Sequence, residues 1–235
     1  MHNFIAEFIG TALLIVLGNG VVANVVLDKT KGQNSGWIVI TFGWAMAVFI
    51  GVYAAKGLGS GGHLNPAVTI ALASIGKINS DIIPAYIGGQ FAGAIVGAIL
   101  VWACYKQHFD QTQDKDLKLA AFCTAPAIRS AGNNMITEII GSFILMLGAL
   151  SISPSASSLG ALDALPVGLL VLGIGLSIGG PTGYAINPAR DLGPRIAHFI
   201  LPIPGKRDSD WQYSWIPVIA PIIGALLGAM LFARF

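Results

Sequence analysis

Long apolar runs separated by short polar turns set the rhythm of the chain. Phe4–Leu27 holds one charge, Glu7, while Trp37–Ala55 and Ile82–Tyr105 hold none. Met135–Ile152 carries only Glu138, Leu159–Ile178 only Asp163 near its start, and Trp215–Phe232 none. At about 1.5 Å per residue, each run can cross a hydrocarbon core of about 30 Å. The pattern predicts six transmembrane helices, with polar turns such as 27–36 and 105–118 between them. Two further apolar segments, 65–76 and 187–199, would rise only about 18–20 Å and cannot span. Each opens on Asn-Pro. Asn is a favoured N-cap, and Pro is tolerated at the first helical position because its missing N–H would be unpaired there anyway. Each segment is therefore expected to be a half-helix starting at its Asn.

The chain also repeats itself. Residues 6–15, AEFIGTALLI, return as TEIIGSFILM at 137–146, so that Glu7 and Gly10 match Glu138 and Gly141. GGHLNPAVTI at 61–70 returns as TGYAINPARD at 182–191. Three spans per copy is an odd number, so the second copy must run inverted to the first. The expected architecture is one all-α membrane domain over residues 1–235. Its inverted repeats cover about 1–110 and 130–235 and are joined by loop 105–133, with the two half-helices meeting N-terminus to N-terminus near the midplane.

Composition agrees with an integral protein of the lipid bilayer: 54% of residues are hydrophobic, 10% are charged, and the mean hydropathy is +0.74. A formal charge of +2 with no Lys/Arg run gives no footprint for nucleic acid. Met1–Asn3 lead straight into the first apolar run, without the n-region and cleavage site of a signal peptide. Charge bias does not confirm an orientation, and on the expected topology it runs against the positive-inside rule. Lys56, Lys77 and Arg234 fall on one side, and Lys29, Lys31, Lys106, Lys115, Lys118, Arg129, Lys206 and Arg207 on the other. The motifs contain no nucleophile–base pair, metal cluster or phosphate loop, so neither an enzyme nor a cofactor is indicated. Cys104 and Cys123 match no metal or redox spacing, and are either inert or paired near loop 105–133.

The chemistry concentrates in the two tripeptides Asn65-Pro66-Ala67 and Asn187-Pro188-Ala189. Helix starts inside a membrane leave non-helical backbone at that depth, which is tolerated where it lines an aqueous cavity. Two helix N-termini facing one cavity make its centre positive, and the Asn65 and Asn187 amides add donors. A water oxygen there accepts from both sides and turns its own hydrogens outward, which breaks a proton wire. The same potential repels cations.

The paired HLNPAVT and NPARD motifs, within this repeat, resemble the major intrinsic protein family, and specifically its glycerol facilitator branch. The resemblance covers essentially the whole chain. It implies a pore in each subunit of a homotetramer in the cell membrane, cytoplasmic termini, and an aromatic/arginine selectivity filter on the outer side. Carried over by position, the filter is Arg190, Tyr184, Gly175 and Trp44. Counting back from Asn65 lands on Ala45, and one extra residue within 56–65 restores Trp44. Trp44 and Tyr184 would form an apolar wall for a carbon chain, and Arg190 would donate to hydroxyls opposite. Gly175 removes bulk where water-selective members carry His. Carbonyls of Gly61, Gly62, His63, Leu64, Gly183, Ala185 and Ile186 would form a ladder of acceptors.

Asp191 after Arg190 again resembles glycerol facilitators, as do a base at Arg195 and the pair Pro217-Val218. Asp191 is expected to face away from the lumen, because a free carboxylate there would attract the cations that Arg190 repels. Tyr184 is Phe in some facilitators, so its hydroxyl is a departure. Glu7 and Glu138, matched by the repeat, are expected to brace the loops before the Asn-Pro-Ala motifs, with His63 beside them. Gly89, Gly93 and Gly97 give a small-residue stripe that suits either an internal or a subunit contact.

The function these features imply is a passive channel for glycerol and other small neutral solutes, including water. Dihydroxyacetone, urea, protonated lactic acid and hydrogen peroxide fit the same physics. The alternatives are a water-selective channel, against which Gly175 and Asp191 argue, and a proton-coupled secondary transporter, which would need a free midplane carboxylate.

Overall fold

The computed structural model describes residues 1–152 and 163–235. Among these residues the fold is wholly helical: α1 His2–Val26, α2 Trp37–Gly57, α3 Pro66–Ser74, α4 Ile83–Gln111, α5 Lys115–Ala120, α6 Ala131–Ser151, α7 Leu165–Ile178, α8 Pro188–Ile200 and α9 Ile216–Phe232. The helices α1, α2, α4 and α6 are long and apolar enough to cross a membrane, and α7 and α9 are shorter apolar helices. For the expected span Leu159–Ile178, residues 159–162 lie outside the described residues, and the described helix starts at Leu165.

Both half-helices form where their caps predict. The Asn65 side chain accepts from Ala67 N–H at 2.9 Å, and the Asn187 side chain from Ala189 and Arg190 N–H at 3.0 and 3.2 Å. With Pro at N1, α3 has 9 residues and α8 has 13, about 13 and 20 Å, short of a crossing. Gly76, at φ +70, ends α3: its N–H bonds Ala73 O and the following Lys77 N–H bonds Leu72 O, closing the last turn.

One expected turn is helix instead. The third span continues past Tyr105 to Gln111, through Lys106 and Asp110, which pair at i,i+4 over 2.6 Å. Phe109 explains the extension, because it is fully buried and packs on Phe122 with ring centroids 5.4 Å apart. Burial of one aromatic therefore outweighs the polar neighbours that suggested a loop. At the same end Thr112 accepts from Asp28 N–H, and His108 bonds Asp28 O, tying the 27–36 turn to α4.

Packing assigns the glycine stripe to contacts within the chain. A Cβ on Gly93 would sit 2.3 Å from Phe8 O, and one on Gly89 2.4 Å from Phe4 O, so α1 and α4 touch backbone to backbone. Helices α6 and α9 make the same kind of contact, with a Cβ on Gly224 falling 2.2 Å from Ile139 O. Each chain terminus packs beside the end of a helix of the first half of the chain. His2 reaches Gly59 after α2, and Lys77 after α3 lies over the Phe232 ring near the C-terminus. Neither cysteine is in a disulfide: Cys104 is exposed, while Cys123 is buried in the loop after α5, where burial pushes its thiol up.

Candidate functional site: a cavity between two helix N-termini

The segments leading into α3 and α8 owe their shape to two buried glutamates. Glu7 on α1 accepts from the His63 and Leu64 N–H groups at 3.0 and 2.8 Å, from Ser60 Oγ at 2.5 Å and from Gln90 Nε2 at 2.8 Å. Glu138 on α6 accepts from the Ala185 and Ile186 N–H groups at 2.9 and 2.8 Å. Within a planar trans peptide the N–H points opposite the carbonyl of the preceding residue. Anchoring these four N–H groups behind the segments therefore turns the Gly62, His63, Tyr184 and Ala185 carbonyls the other way. Positive φ at Gly62, Leu64, Tyr184 and Ile186 keeps the backbone out of helix or sheet, which would consume those carbonyls. For a β-branched residue such as Ile186 that conformation is strained, and the Glu138 bonds help to hold it.

The two half-helices are joined by a crossed pair of bonds. Asn65 Nδ2 donates to Ile186 O and Asn187 Nδ2 to Leu64 O, each at 2.8 Å. This adjusts the expected ladder: the Leu64 and Ile186 carbonyls already hold an opposing asparagine. It also settles the amide count. Each Asn uses its oxygen as an N-cap and one amide hydrogen on the crossed bond, leaving a second hydrogen free. Pro66, Ala67, Pro188 and Ala189 are buried in the first turns beneath.

A cavity of about 210 Å³ runs along this junction. Gly61, Gly62, His63, Leu64, Tyr184, Ala185 and Ile186 line it with both asparagines, Trp44 and Arg190, while Val48, Val52 and Leu72 add apolar surface and Lys56 a cationic end. Among the described residues Gly175 and Gly183 stand back from it. A Cβ on Gly183 would face Thr124, and one on Gly175 would lie 2.8 Å from Tyr184 Cζ. The space vacated at Gly175 is thus filled by the Tyr184 ring.

Arg190 is buried, and its guanidinium carbon lies 4.0 Å from the centroid of the Trp44 ring, with Nη1 3.5 Å from Phe122 O. The sequence suggested that Trp44 and Arg190 face each other across a gap. Instead they stack, since a desolvated guanidinium gains from an indole face. Asp191 does point away. It accepts from Thr124 N–H at 2.8 Å and Thr124 Oγ1 at 2.6 Å, and pairs with Arg195 Nη2 at 2.8 Å. Arg195, fully buried, also donates to Ser209 O, Asp210 O and Thr124 O. The ion pair of this helix is therefore Asp191–Arg195, one turn apart, not the neighbours Arg190 and Asp191.

His63 stands beside the Glu7 network as expected, its Nδ1 3.1 Å from Thr69 Oγ1 and its ring centroid 4.6 Å from that of Tyr86. Three contributors were not legible in the sequence. Trp37 Nε1 donates to Gly175 O at 3.0 Å, and its ring meets Tyr184 edge-on. The Phe122 carbonyl faces Arg190 and is steadied by Asn19 Nδ2 at 2.8 Å. Thr124 holds Asp191. The two loop residues sit in 119–130, with no motif to flag them, and Phe122 acts through a carbonyl that any residue supplies.

The family model of the major intrinsic protein matches residues 1–232. A probable glycerol uptake facilitator protein of Thermotoga maritima is 61% identical over 232 residues, covering 99% of this chain and 98% of the relative. A glycerol uptake facilitator protein of Streptococcus pneumoniae is 51% identical over 235 residues and the full length of both chains. The X-ray structure of the aquaglyceroporin from Plasmodium falciparum superposes with a TM-score of 0.86 at 34% identity, covering 99% of this chain and 95% of that one.

Proposed function

Because the chain belongs to the major intrinsic protein family, we propose that it is a passive channel for glycerol and other small neutral solutes, with some water, that excludes protons and ions. One observation carries the reading: the crossed bonds from Asn65 to Ile186 O and from Asn187 to Leu64 O set two helix N-termini against one cavity. In this reading the free amide hydrogens of both asparagines orient a passing hydroxyl or water, and the two positive helix ends hold off cations and hydronium. The carbonyls of Gly62, His63, Tyr184 and Ala185, turned from the glutamates, accept the solute's hydroxyl hydrogens. Trp44, Tyr184 and Arg190 form the selectivity filter, and Gly175 seats the tyrosine. Glu7, Glu138 and Asp191 are structural, since each carboxylate is occupied by protein donors. That occupancy is what disfavours a proton-coupled transporter, which needs an available carboxylate.

The wider proposal is one domain of two inverted repeats, assembled as a homotetramer in the cell membrane with both termini in the cytoplasm. Dihydroxyacetone, urea, protonated lactic acid and hydrogen peroxide are further candidate solutes, being small, neutral and able to hydrogen-bond. The test is stopped-flow light scattering of proteoliposomes. Glycerol flux well above that of protein-free liposomes, non-saturating and independent of a proton gradient, is expected. Water flux without glycerol flux would assign a water-selective channel instead, and uptake driven by a proton gradient a transporter.

A further inference from the structure

The structure assigns Asn19 of α1 as a positioning residue for Arg190: it holds the Phe122 carbonyl back, so that the guanidinium stays on the Trp44 ring with its donors free for a solute. This rests on the reading of the cavity as a glycerol path. Asn19 is 1% exposed and does not line the cavity, and neither does Phe122. An asparagine buried in an apolar helix must place its amide. Asn19 Nδ2 donates to Phe122 O at 2.8 Å, across 103 positions of sequence. Arg190 Nη1 reaches the same oxygen only at 3.5 Å, the outer limit of a hydrogen bond. Among the described residues this carbonyl is the one protein acceptor that the guanidinium meets.

The surroundings of that oxygen are already ordered. The Cys123 N–H of the same peptide unit bonds Leu119 O at 3.1 Å. The Phe122 ring packs on those of Phe109 and His198, with centroids 5.4 Å from each. With Asn19 in place the oxygen is satisfied and pulls only weakly on Arg190. Without Asn19 it is a buried acceptor lacking a full partner, and the guanidinium is the donor at hand. A charge-assisted bond contracts to about 2.8 Å. That would draw Arg190 away from the Trp44 ring, whose centroid now lies 4.0 Å from the guanidinium carbon, and would take one donor from the solute. The residue before Asn19 supports the same arrangement. A Cβ on Gly18 would fall 2.2 Å from Trp44 Cζ3, so the indole rests directly on α1. Two adjacent residues of α1 therefore set both neighbours of the guanidinium, the ring it stacks on and the carbonyl it faces.

The experiment compares glycerol and water permeabilities of proteoliposomes bearing the wild type, Asn19→Leu, Arg190→Ala or the double variant, after subtraction of protein-free liposome rates. Glycerol must match several desolvated hydroxyls at once, whereas a water molecule keeps its neighbours in file. Asn19→Leu should therefore lower the ratio of glycerol to water permeability about fivefold, the size of one net hydrogen bond. The Arg190→Ala background separates positioning from packing: there Asn19→Leu should leave the ratio unchanged. An unchanged ratio in the single variant would overturn the proposal, and so would an equal fall in the Arg190→Ala background. If Asn19→Leu carries no water flux, Asn19→Ala takes its place, deleting the amide without adding bulk. Loss of water flux in both would mark a residue that holds the fold, and would equally overturn the proposal. A wild type with no glycerol flux would instead overturn the channel assignment on which the proposal rests.

Discussion

Replacing Gly175 by alanine adds one methyl group at the point where the structure leaves no room for it. The new Cβ would lie 2.8 Å from Tyr184 Cζ, 3.1 Å from Tyr184 Cε2 and 3.0 Å from Thr41 Cγ2. Carbon atoms settle at about 3.5–4.0 Å, so the shortfall at Cζ is at least about 0.7 Å. Thr41 cannot easily yield, since its hydroxyl is held by Trp37 O and Ile38 O at 3.1 and 3.0 Å. Gly179 blocks retreat along α7. The ring therefore moves toward the cavity it lines. Overpacking of this kind costs about 1–3 kcal/mol, and each 1.36 kcal/mol added to a barrier slows passage tenfold. The expected outcome for Gly175→Ala is an about tenfold loss of glycerol permeability in proteoliposomes, with water, the smaller solute, reduced less than about threefold. A double-mutant comparison isolates the cause. In a Tyr184→Val background no ring remains to displace, so adding Gly175→Ala should leave the glycerol rate unchanged. Full glycerol permeability in the single mutant, or the same tenfold loss in the Tyr184→Val background, would refute the idea that Gly175 acts by seating the tyrosine.

Four other outcomes are expected. Glu138→Gln keeps one acceptor oxygen and turns an amide NH2 toward either the Ala185 or the Ile186 N–H, which then lacks its acceptor; the fold should lose about 1–3 kcal/mol, seen as a lower melting temperature in detergent. Asp191→Ala strands the fully buried Arg195 and should cost about 3–5 kcal/mol; a double replacement of both by apolar residues should restore monodispersity on size-exclusion chromatography. Gly93→Val drives a side chain into Phe8 O and should abolish folded protein, whereas Gly132→Ala, with nothing within 4 Å of its Cβ, should be neutral by the same assay. A membrane-permeant maleimide should label Cys104 and spare Cys123 until the protein is unfolded, because Cys123 is buried and its thiol is pushed up.

What the sequence made legible was whatever rests on periodicity or on a cap. The apolar runs gave the spans, and Asn-Pro gave the half-helix starts to within a residue, because an Asn side chain bonding N2 is a local event. The matched glutamates were legible for a similar reason: a lone carboxylate in an apolar run must find donors. Features depending on contacts across the fold were hidden. The helical extension to Gln111 comes from Phe109 meeting Phe122, and the Trp44–Arg190 stack from a side-chain choice between two neighbours. Gly175 was identified by position, but the Tyr184 ring packed against it was not. A missing side chain in sequence does not say whether the space stays open or another residue takes it.

The backbone before each half-helix shows why two carboxylates matter more to this site than their distance from the lumen suggests. A peptide unit in an apolar surrounding must place both its N–H and its C=O. In a spanning helix each group satisfies another within the same element, and nothing is left for a solute. Glu7 and Glu138 break that symmetry by taking only the N–H side, at His63, Leu64, Ala185 and Ile186. The carbonyls released are those of Gly62, His63, Tyr184 and Ala185, while Leu64 O and Ile186 O close the junction with the opposing asparagines. Donors and acceptors are thus sorted onto opposite sides of one strand of backbone. Asp191 makes a comparable allocation beside Arg190: by holding Thr124 and Arg195 it fixes the loop behind α8 without presenting a charge to the cavity. Of the side chains proposed as the filter, Trp44, Tyr184 and Arg190, only Arg190 then carries charge, the condition under which the proposed channel would bind a neutral solute there and hold off a cation.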